Sequence, residues 1–308
     1  MFGIAGHLMA ASLDRYGPAA VARRMVRMIL PFWAFSLVAL ALMHSVGRPA
    51  DPARRIGWDE LIWWILPLQV PSAGEATWAW PFTIGLWYIS TYLWLILISP
   101  VALLLIRRWP GSCVVASIVI LIGFHLGQIE QGFYIVSYLP CWLLGLASHG
   151  GRLQRIPART FYATASALAV VGGCWIAIFM ATHPATALNH VPIATTLWSM
   201  AWAVVLLRPH SRVQLHRLSE YPAVCQVLRL INTWAVTIYL WHIVAGALIV
   251  AVLTPALPPD SAANLVLRVI GMAILTALAV VSFGWVETLS SRYARLCKIS
   301  PGHAGPGR

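Results

Sequence analysis

The sequence predicts an all-α fold, a polytopic transmembrane helical bundle of about eight full spans plus an N-terminal partial span. Of the 308 residues, 60% are hydrophobic and only 10% are charged, and the mean hydropathy is +0.77. A soluble chain of this length needs more polar surface than this to cover its core. The long apolar runs lack the alternation of barrel strands, so we expect the spans to be helices.

Eight apolar runs approach the thickness of a bilayer and are predicted to be the full spans. They cover residues 29–46, 83–106, 112–127, 132–149, 160–181, 191–207, 233–256 and 263–288. The segment "MFGIAGHLMAASL" at residues 1–13 is apolar but too short to cross, and it leads into a basic stretch. We therefore expect the chain to begin inside a span, with the outer part of that helix missing from this sequence.

The distribution of basic residues predicts how the spans are oriented. If the loops alternate between the two sides, 17 of the 21 Lys and Arg residues fall on one side and four on the other. Loops rich in these residues stay in the cytoplasm, so we expect the basic loops and the C-terminus to lie on the inner side of a bacterial inner membrane. The net charge of +12 then reflects membrane topology, and no nucleic-acid partner is predicted.

Two connecting segments have compositions that suit a membrane surface. Residues 47–82 are rich in tryptophan, which is typical of a segment lying in the outer interface. Residues 208–232 mix basic and apolar residues in a pattern that predicts an amphipathic helix on the cytoplasmic surface. We expect a single transmembrane domain over residues 1–298 and a disordered tail over residues 299–308.

Several other classes of protein find no support in the sequence. The five cysteines lie far apart without histidines at metal-ligand spacing, so no metal site is predicted. The chain has no GxSxG, HExxH or HxxxxD motif and no phosphate-binding glycine loop. An ion-coupled transporter needs acidic residues within its spans, and none lies in the middle of a predicted span. A lipid or glycan transporter is therefore only a minor alternative.

Five motifs are spread over nearly the whole chain. They are "FGIAGHLM" followed by "ARRMVRMILPFW" at the start, "LWYISTYLWLILISP" at residues 86–100, "YLPCWLLGLASHG" at 138–150, "TIYLWHIV" at 237–244 and "WVETLSSRYARL" at 285–296. In this order they resemble the motifs of the bacterial membrane acyltransferase 3 family. That family O-acylates sugars of exopolysaccharides, lipopolysaccharides, peptidoglycan and secondary metabolites.

The resemblance implies an integral-membrane O-acyltransferase. An acyl group, in the first instance acetyl, would pass from acyl-CoA to a hydroxyl of a carbohydrate or cell-envelope glycan. We therefore expect acetyl-CoA or another acyl-CoA as the donor substrate, with no bound cofactor. Membrane lipids and the glycan acceptor are the other expected partners.

The resemblance also bears on the start of the chain. The family's bundle usually has ten spans, and the first carries an arginine and, eleven residues later, a histidine implicated in catalysis at the outer side. Because this sequence shows about eight spans and a remnant, we expect that first helix to be missing. The alternative hypothesis is a truncated or non-catalytic membrane scaffold, or an export partner of polysaccharide synthesis.

Arg23, Arg24 and Arg27 are the predicted binding residues for acyl-CoA. Arg24 and Arg27 match the RxxR motif of the family, and a spacing of three places both on one helical face, where two guanidinium groups can bind a diphosphate. Arg23 is expected to assist. The alternative is that these arginines only anchor the helix end at the membrane surface, as basic residues commonly do.

His242 and His7 are the predicted catalytic residues. His242 lies near the middle of a predicted span, where an ionisable residue is costly and is a functional candidate, and it matches the histidine of the family's corresponding motif. The alternative is a neutral imidazole hydrogen-bonded between helices. His7 stands where the family usually has an aromatic residue, and on the partial span it would either face the cavity or lie near the helix end.

Trp87, Tyr88 and Ser90 are the predicted substrate-binding residues. They match a family motif at the outer start of a span. Tryptophan and tyrosine at such a position either anchor the helix in the interface or stack on a sugar ring, and both interpretations stay open at this point.

Glu287 is a further motif residue with a predicted role. It matches the terminal glutamate of the family, although Thr288 and Leu289 follow it without the usual proline. We expect a structural role for Glu287, as an inner-surface partner of Arg292 or Arg24.

Overall fold

Helices make up the regular secondary structure of the residues that the computed structural model describes. The structure describes residues 1–45, 58–74, 76–130, 132–151, 155–183, 191–208, 222–253 and 261–296, without the side chains of Trp58, Asp59, Thr77 and residues 292–296. The helices are α1 (Phe2–Tyr16), α2 (Ala19–Ser45), α3 (Trp58–Ile65), α4 (Trp80–Thr83), α5 (Leu86–Arg108), α6 (Pro110–Leu126), α7 (Phe133–Ser148), α8 (Ala158–Thr182), α9 (Pro192–Leu207), α10 (Pro222–Thr233), α11 (Ala235–Leu253) and α12 (Ala262–Leu296). These described residues contain no β-strand, which confirms the all-α prediction for them.

Among the described residues, five helical segments are long and apolar enough to cross a membrane. They are Ala19–Ser45, Trp80–Arg108, Ala158–Thr182, Ala235–Leu253 and Ala262–Ser291. The runs predicted at 112–127, 132–149 and 191–207 form the shorter apolar helices α6, α7 and α9, of 16 or 17 residues. At 1.5 Å per residue these helices are about 25 Å long, less than a hydrocarbon core of roughly 30 Å. The five long apolar helices confirm a multi-pass membrane protein. They do not confirm the predicted count of eight full spans.

The chain divides into two compact units. The first contains Met1–Val21 and Trp94–Arg217. In this unit α7 packs against α1, α6 and α9, and α8 packs against α9. The helix α1, which was predicted to be a partial span, is thus a packed element of the first unit.

The backbones of α1 and α7 are in direct contact where these two helices pack. A Cβ atom on Gly6 would lie 2.5 Å from the carbonyl oxygen of Trp142, and one on Gly145 would overlap the carbonyl group of Gly3. Because glycine has no side chain, the two helices approach more closely here than any other residue would allow. Gly6 and Gly145 are therefore required by packing.

The second unit contains Ala22–Leu93 and Leu218–Arg308. In it α11 packs against α12, α10 and α4. Trp241 of α11 stacks on Phe283 of α12 with ring centroids 4.8 Å apart, and it meets Phe35 of α2 edge-on at 5.3 Å. This aromatic layer holds together three helices, two of which carry predicted site residues.

The predicted interfacial segment at 47–82 is described from residue 58 onward. Its first eight described residues form α3, and Trp33 of α2 donates from Nε1 to the carbonyl oxygen of Ile65 at 2.6 Å. Trp64 is 1% exposed and donates to the carbonyl oxygen of Ser72 at 3.1 Å. At least one tryptophan of this segment therefore packs inside the protein instead of lying in the interface.

The predicted amphipathic helix at 208–232 is described in its second half. There α10 is a helix that buries none of its residues, as a surface helix would. Residues 209–221 and the predicted tail at 299–308 lie outside the described residues. The single domain over residues 1–298 stays a prediction.

Candidate active site

The predicted arginines lie in the first turns of α2 and are half-buried. Arg24 donates from its guanidinium group to the hydroxyl of Tyr92 on α5 at 3.2 Å. Arg27 donates to the carbonyl oxygen of Asn232, near the end of α10, at 2.7 Å. Both guanidinium groups therefore have partners within the second unit.

Arg27 has a structural use at this position. The last carbonyl groups of a helix lack intrahelical partners, and a cation near a helix C-terminus is favourable, so Arg27 caps α10. The carbonyl oxygen of Arg27 accepts a hydrogen bond from Ser290 Oγ of α12 at 3.4 Å. The two arginines of the RxxR motif thus have different surroundings: Arg27 connects α2 to α10 and α12, whereas Arg24 faces a tyrosine.

Three tyrosines, Tyr92, Tyr88 and Tyr239, form a continuous row that we call the tyrosine column. The rings of Tyr92 and Tyr88 stack with centroids 5.9 Å apart, and Tyr88 contacts Tyr239 at 4.8 Å. His242 lies beyond Tyr239 at 5.6 Å, and Arg24 donates to the hydroxyl at the other end. The spacings of four on α5 and three on α11 place each pair of residues on one helical face. The column therefore links a predicted phosphate-binding residue to a predicted catalytic residue.

Gly85 fixes the position of Tyr239 within the column. The hydroxyl of Tyr239 donates to the carbonyl oxygen of Gly85 at 2.6 Å. A Cβ atom on Gly85 would lie 2.8 Å from Cδ1 of Ile243, so the absence of a side chain lets α11 approach the turn before α5. This glycine precedes the "LWYISTY" motif and had no predicted role.

The ring of His242 is oriented by backbone carbonyl groups of its own helix. Its Nδ1 lies 2.7 Å from the carbonyl oxygen of Tyr239 and 3.2 Å from that of Ile238. Because a carbonyl oxygen only accepts hydrogen bonds, Nδ1 carries the proton, and the neutral ring then presents Nε2 as a base. These hydrogen bonds stay within α11, and the predicted alternative of a bond between helices remains a prediction.

Glu287 is fully buried and holds the start of α11. Its carboxyl group accepts hydrogen bonds from the backbone N–H of Thr237 at 3.0 Å, from the Thr237 hydroxyl at 2.9 Å and from the N–H of Val236 at 3.3 Å. The first amides of a helix lack intrahelical acceptors, and a carboxylate at that end is favourable. Glu287 therefore caps the helix that carries Tyr239 and His242.

This capping role differs from the pairing expected for Glu287. Arg27 is a cation that interacts with its carboxyl group. The side chain of Arg292, the other expected partner, lies outside the described side chains. The prediction of a structural role agrees with the geometry, although the partner is a helix N-terminus.

The predicted substrate-binding residues lie at the start of α5. Tyr88 is the middle member of the tyrosine column, and Trp87 packs edge-on against it with ring centroids 6.1 Å apart. Ser90 is 7% exposed and buried in the helix packing. The second unit thus brings Trp87 and Tyr88 together with Tyr239, and through it with His242.

His7 belongs to a different cluster, in the first unit. Its Nδ1 lies 2.8 Å from Oγ of Ser148, and its ring meets that of His149 edge-on at 5.4 Å. Nε2 of His149 lies 3.1 Å from a carboxyl oxygen of Asp14, which also pairs with Arg107. The two predicted catalytic histidines therefore have separate surroundings, each described within its own unit.

Tyr92 and Tyr239 were missed in the sequence because tyrosine in a span is most often an interface anchor. Their spacing was the available signal: Tyr92 follows Tyr88 by four residues, and Tyr239 precedes His242 by three. In the part of the chain that the structure describes, no group of three or more His, Cys, Asp or Glu could hold a metal ion.

Comparison with known proteins gives a match to a family model. A family model described as an acyltransferase domain, that of acyltransferase family 3, matches residues 1–285. No curated protein and no solved structure matches the chain. The matched segment includes every predicted site residue and stops two residues before Glu287.

Proposed function

The chain belongs to the acyltransferase 3 family, and on that premise we propose that it transfers an acyl group, in the first instance acetyl, from acyl-CoA to a hydroxyl of a carbohydrate or cell-envelope glycan. Family membership and the apolar helices make it a multi-pass membrane protein with an acyltransferase domain. The donor, the acceptor, the inner-membrane location and the cytoplasmic side of the basic loops belong to the proposal.

The observation that carries the proposal is the line from Arg24 through the tyrosine column to His242. Arg24 supplies a permanent cation with donors that suit a phosphate oxygen of coenzyme A. The column places tyrosine hydroxyls among otherwise apolar helices, next to a histidine with a basic Nε2. A site of this composition provides a charge for the donor and a base for the acceptor.

The proposed chemistry uses these groups in one step each. Nε2 of His242 takes the proton of the acceptor hydroxyl as that oxygen attacks the thioester carbonyl carbon. The hydroxyl of Tyr88 donates to the oxyanion that forms on the carbonyl oxygen. When the C–S bond breaks, the proton passes from His242 to the sulfur, and the products are the acyl ester and free coenzyme A. Trp87 supports the acceptor by stacking on its sugar ring.

The test separates donor binding from transfer. Binding of labelled acetyl-CoA is measured on the full chain in detergent, and transfer of the label to the glycan fraction is measured in membranes. The Arg24→Ala variant is expected to bind the donor about tenfold or more weakly, because a hydrogen bond to a charged group contributes about 1.5–3 kcal/mol. The matched control is Arg108→Ala, since Arg108 stacks on Trp109 in the first unit and should leave binding unchanged.

The base is tested by His242→Gln in the same two assays. This variant is expected to keep donor binding and to lose transfer by about a hundredfold or more, the usual contribution of a general base. Equal donor binding by the Arg24→Ala and Arg108→Ala variants would remove the phosphate role of Arg24. Unchanged acyl transfer by the His242→Gln variant would show that His242 is not the general base.

The alternative is a non-catalytic scaffold or export partner of polysaccharide synthesis. One observation favours it, namely that Arg27 of the RxxR motif caps α10. Under this alternative the folded wild-type chain binds no acetyl-CoA and labels no glycan fraction, while it copurifies with polysaccharide export proteins.

A further inference from the structure

An apolar groove lies between α8 and α9 in the first unit, and no residue of the proposed active site lines it. Its volume is about 160 Å³. The groove is lined by small residues, which include Ala165, Ala169 and Ala201. It is also lined by the aromatic rings of Tyr162, Trp198 and Trp202. Ala165 and Ala201 are 5% and 3% exposed, whereas Tyr162 and Trp202 are both 53% exposed. The groove therefore has a closed floor and opens outward.

The shape of the groove follows from the packing of α8 on α9. At one end a Cβ atom on Gly172 would lie 2.7 Å from the backbone nitrogen of Trp198, and one on Gly173 would lie 2.9 Å from its ring. The two helices are thus in close contact there. Towards Tyr162 the floor is made of alanine, and the rings of Trp198 and Trp202, with centroids 6.1 Å apart, stand beside it.

A guanidinium group lies at the other end of the groove. The Cζ atom of Arg208 is 4.5 Å from the ring centroid of Phe161 and 5.0 Å from that of Tyr162. Since Tyr162 lines the groove, this cation lies beside the groove, stacked on the ring of one of its lining residues. An apolar groove and a cation are therefore neighbours here.

We propose that this groove binds one acyl chain of an anionic phospholipid, with the lipid phosphate at Arg208. Apolar walls suit a hydrocarbon chain, and a guanidinium group binds phosphate in a bidentate manner. Basic pockets between transmembrane helices are known to hold anionic lipid headgroups. From Tyr162 to Ala169 the groove spans seven residues, about 10 Å of helix, or a third of the hydrocarbon core. It therefore takes the upper part of one chain, and the second chain remains in the bilayer.

The test is lipid binding to the full chain in a neutral detergent, measured by native mass spectrometry. The probes are palmitoyl-oleoyl phosphatidylglycerol and palmitoyl-oleoyl phosphatidylcholine, which share their acyl chains and differ in net charge. The wild-type chain is expected to retain phosphatidylglycerol at about tenfold lower concentration. The Arg208→Gln variant should lose this preference, and the control Arg159→Gln, an exposed arginine at the start of α8, should keep it.

The apolar part is tested by filling the groove. Ala169→Leu should weaken the binding of both lipids, whereas Ala167→Leu, the same change at an exposed position of α8 that does not line the groove, should not. The proposal is overturned if the wild type binds the two lipids equally. It is also overturned if Arg159→Gln affects lipid binding as Arg208→Gln does and Ala167→Leu affects it as Ala169→Leu does. Competition by soluble glycerol phosphate as effective as that by the lipid would show a plain phosphate site and would also overturn it. None of these results depends on acyl transfer.

Discussion

Removal of the Glu287 side chain is expected to destabilise the start of α11. In the wild type its carboxyl group accepts three hydrogen bonds from Thr237 and Val236. The Glu287→Ala variant leaves these donors without an acceptor in a region where Thr237 is 2% exposed. Because α11 carries Tyr239 and His242, the perturbation reaches the proposed active site through the helix.

The expected loss in the free energy of unfolding is the sum of what the three hydrogen bonds contribute. A buried N–H without an acceptor costs about 1–3 kcal/mol, and this applies to Thr237. The N–H of Val236 makes the longest of the three bonds, at 3.3 Å, so its loss adds no more than about 1 kcal/mol. The hydroxyl bond adds about 0.6 kcal/mol, the mean for side-chain bonds between membrane helices. Since removal of the buried carboxyl group also relieves its desolvation, we expect a net loss of about 2–3 kcal/mol.

The assay is equilibrium unfolding of the full chain in mixed detergent micelles, followed by circular dichroism and tryptophan fluorescence. Glu287→Gln should lose roughly half as much free energy of unfolding, because its amide keeps one acceptor oxygen. The control is Thr288→Ala, since the hydroxyl of Thr288 bonds only to the carbonyl of Gly284 in its own helix, at 3.2 Å. This control should stay within about 0.5 kcal/mol of the wild type. If Glu287→Ala did the same, the capping argument would be wrong.

Three further changes follow from the same structure and use the same unfolding assay. Gly145→Ala forces α1 away from α7 and should lower the free energy of unfolding by about 3 kcal/mol or more, whereas Gly111→Ala meets open space and should leave it unchanged. Equal effects of the two changes would contradict the close helix contact. Tyr239→Phe removes the hydrogen bond from the tyrosine hydroxyl to the Gly85 carbonyl, and it should lower both the free energy of unfolding, by about 1 kcal/mol, and the rate of acyl transfer. Unchanged acyl transfer would exclude Tyr239 from the site. Arg107→Gln breaks a half-exposed pair with Asp14 and should cost less than about 1 kcal/mol; a larger loss would show that the pair is more than a surface contact.

Part of the candidate site could be predicted from motifs, and part could not. Arg24, Tyr88 and His242 were all named from local sequence, and the structure links them through Tyr92 and Tyr239. A motif identifies its own residues, but it does not show which residue from a distant segment lies beside them. Arg24 meets Tyr92 across 68 positions, a separation that helical periodicity cannot address.

The roles of the two motif arginines show the same limit. Local spacing places Arg24 and Arg27 on one helical face, which suggested a paired phosphate site. The structure shows that Arg27 bonds to Asn232, 205 residues away, and caps α10. Only the packing of α10 beside α2 could decide this, because the carbonyl that Arg27 binds becomes available where that helix ends.

The lengths of the apolar runs and the order of the motifs predict the all-helical membrane architecture and the family, because both can be read directly along the chain. Only the packing of the helices decided that Glu287 caps α11 and that Arg208 lies beside an apolar groove. Each of these depends on where an unsatisfied donor, an acceptor or an aromatic ring comes to lie after the helices have packed. Hydropathy carries no information on that, since it records how apolar a segment is and not which neighbour it meets.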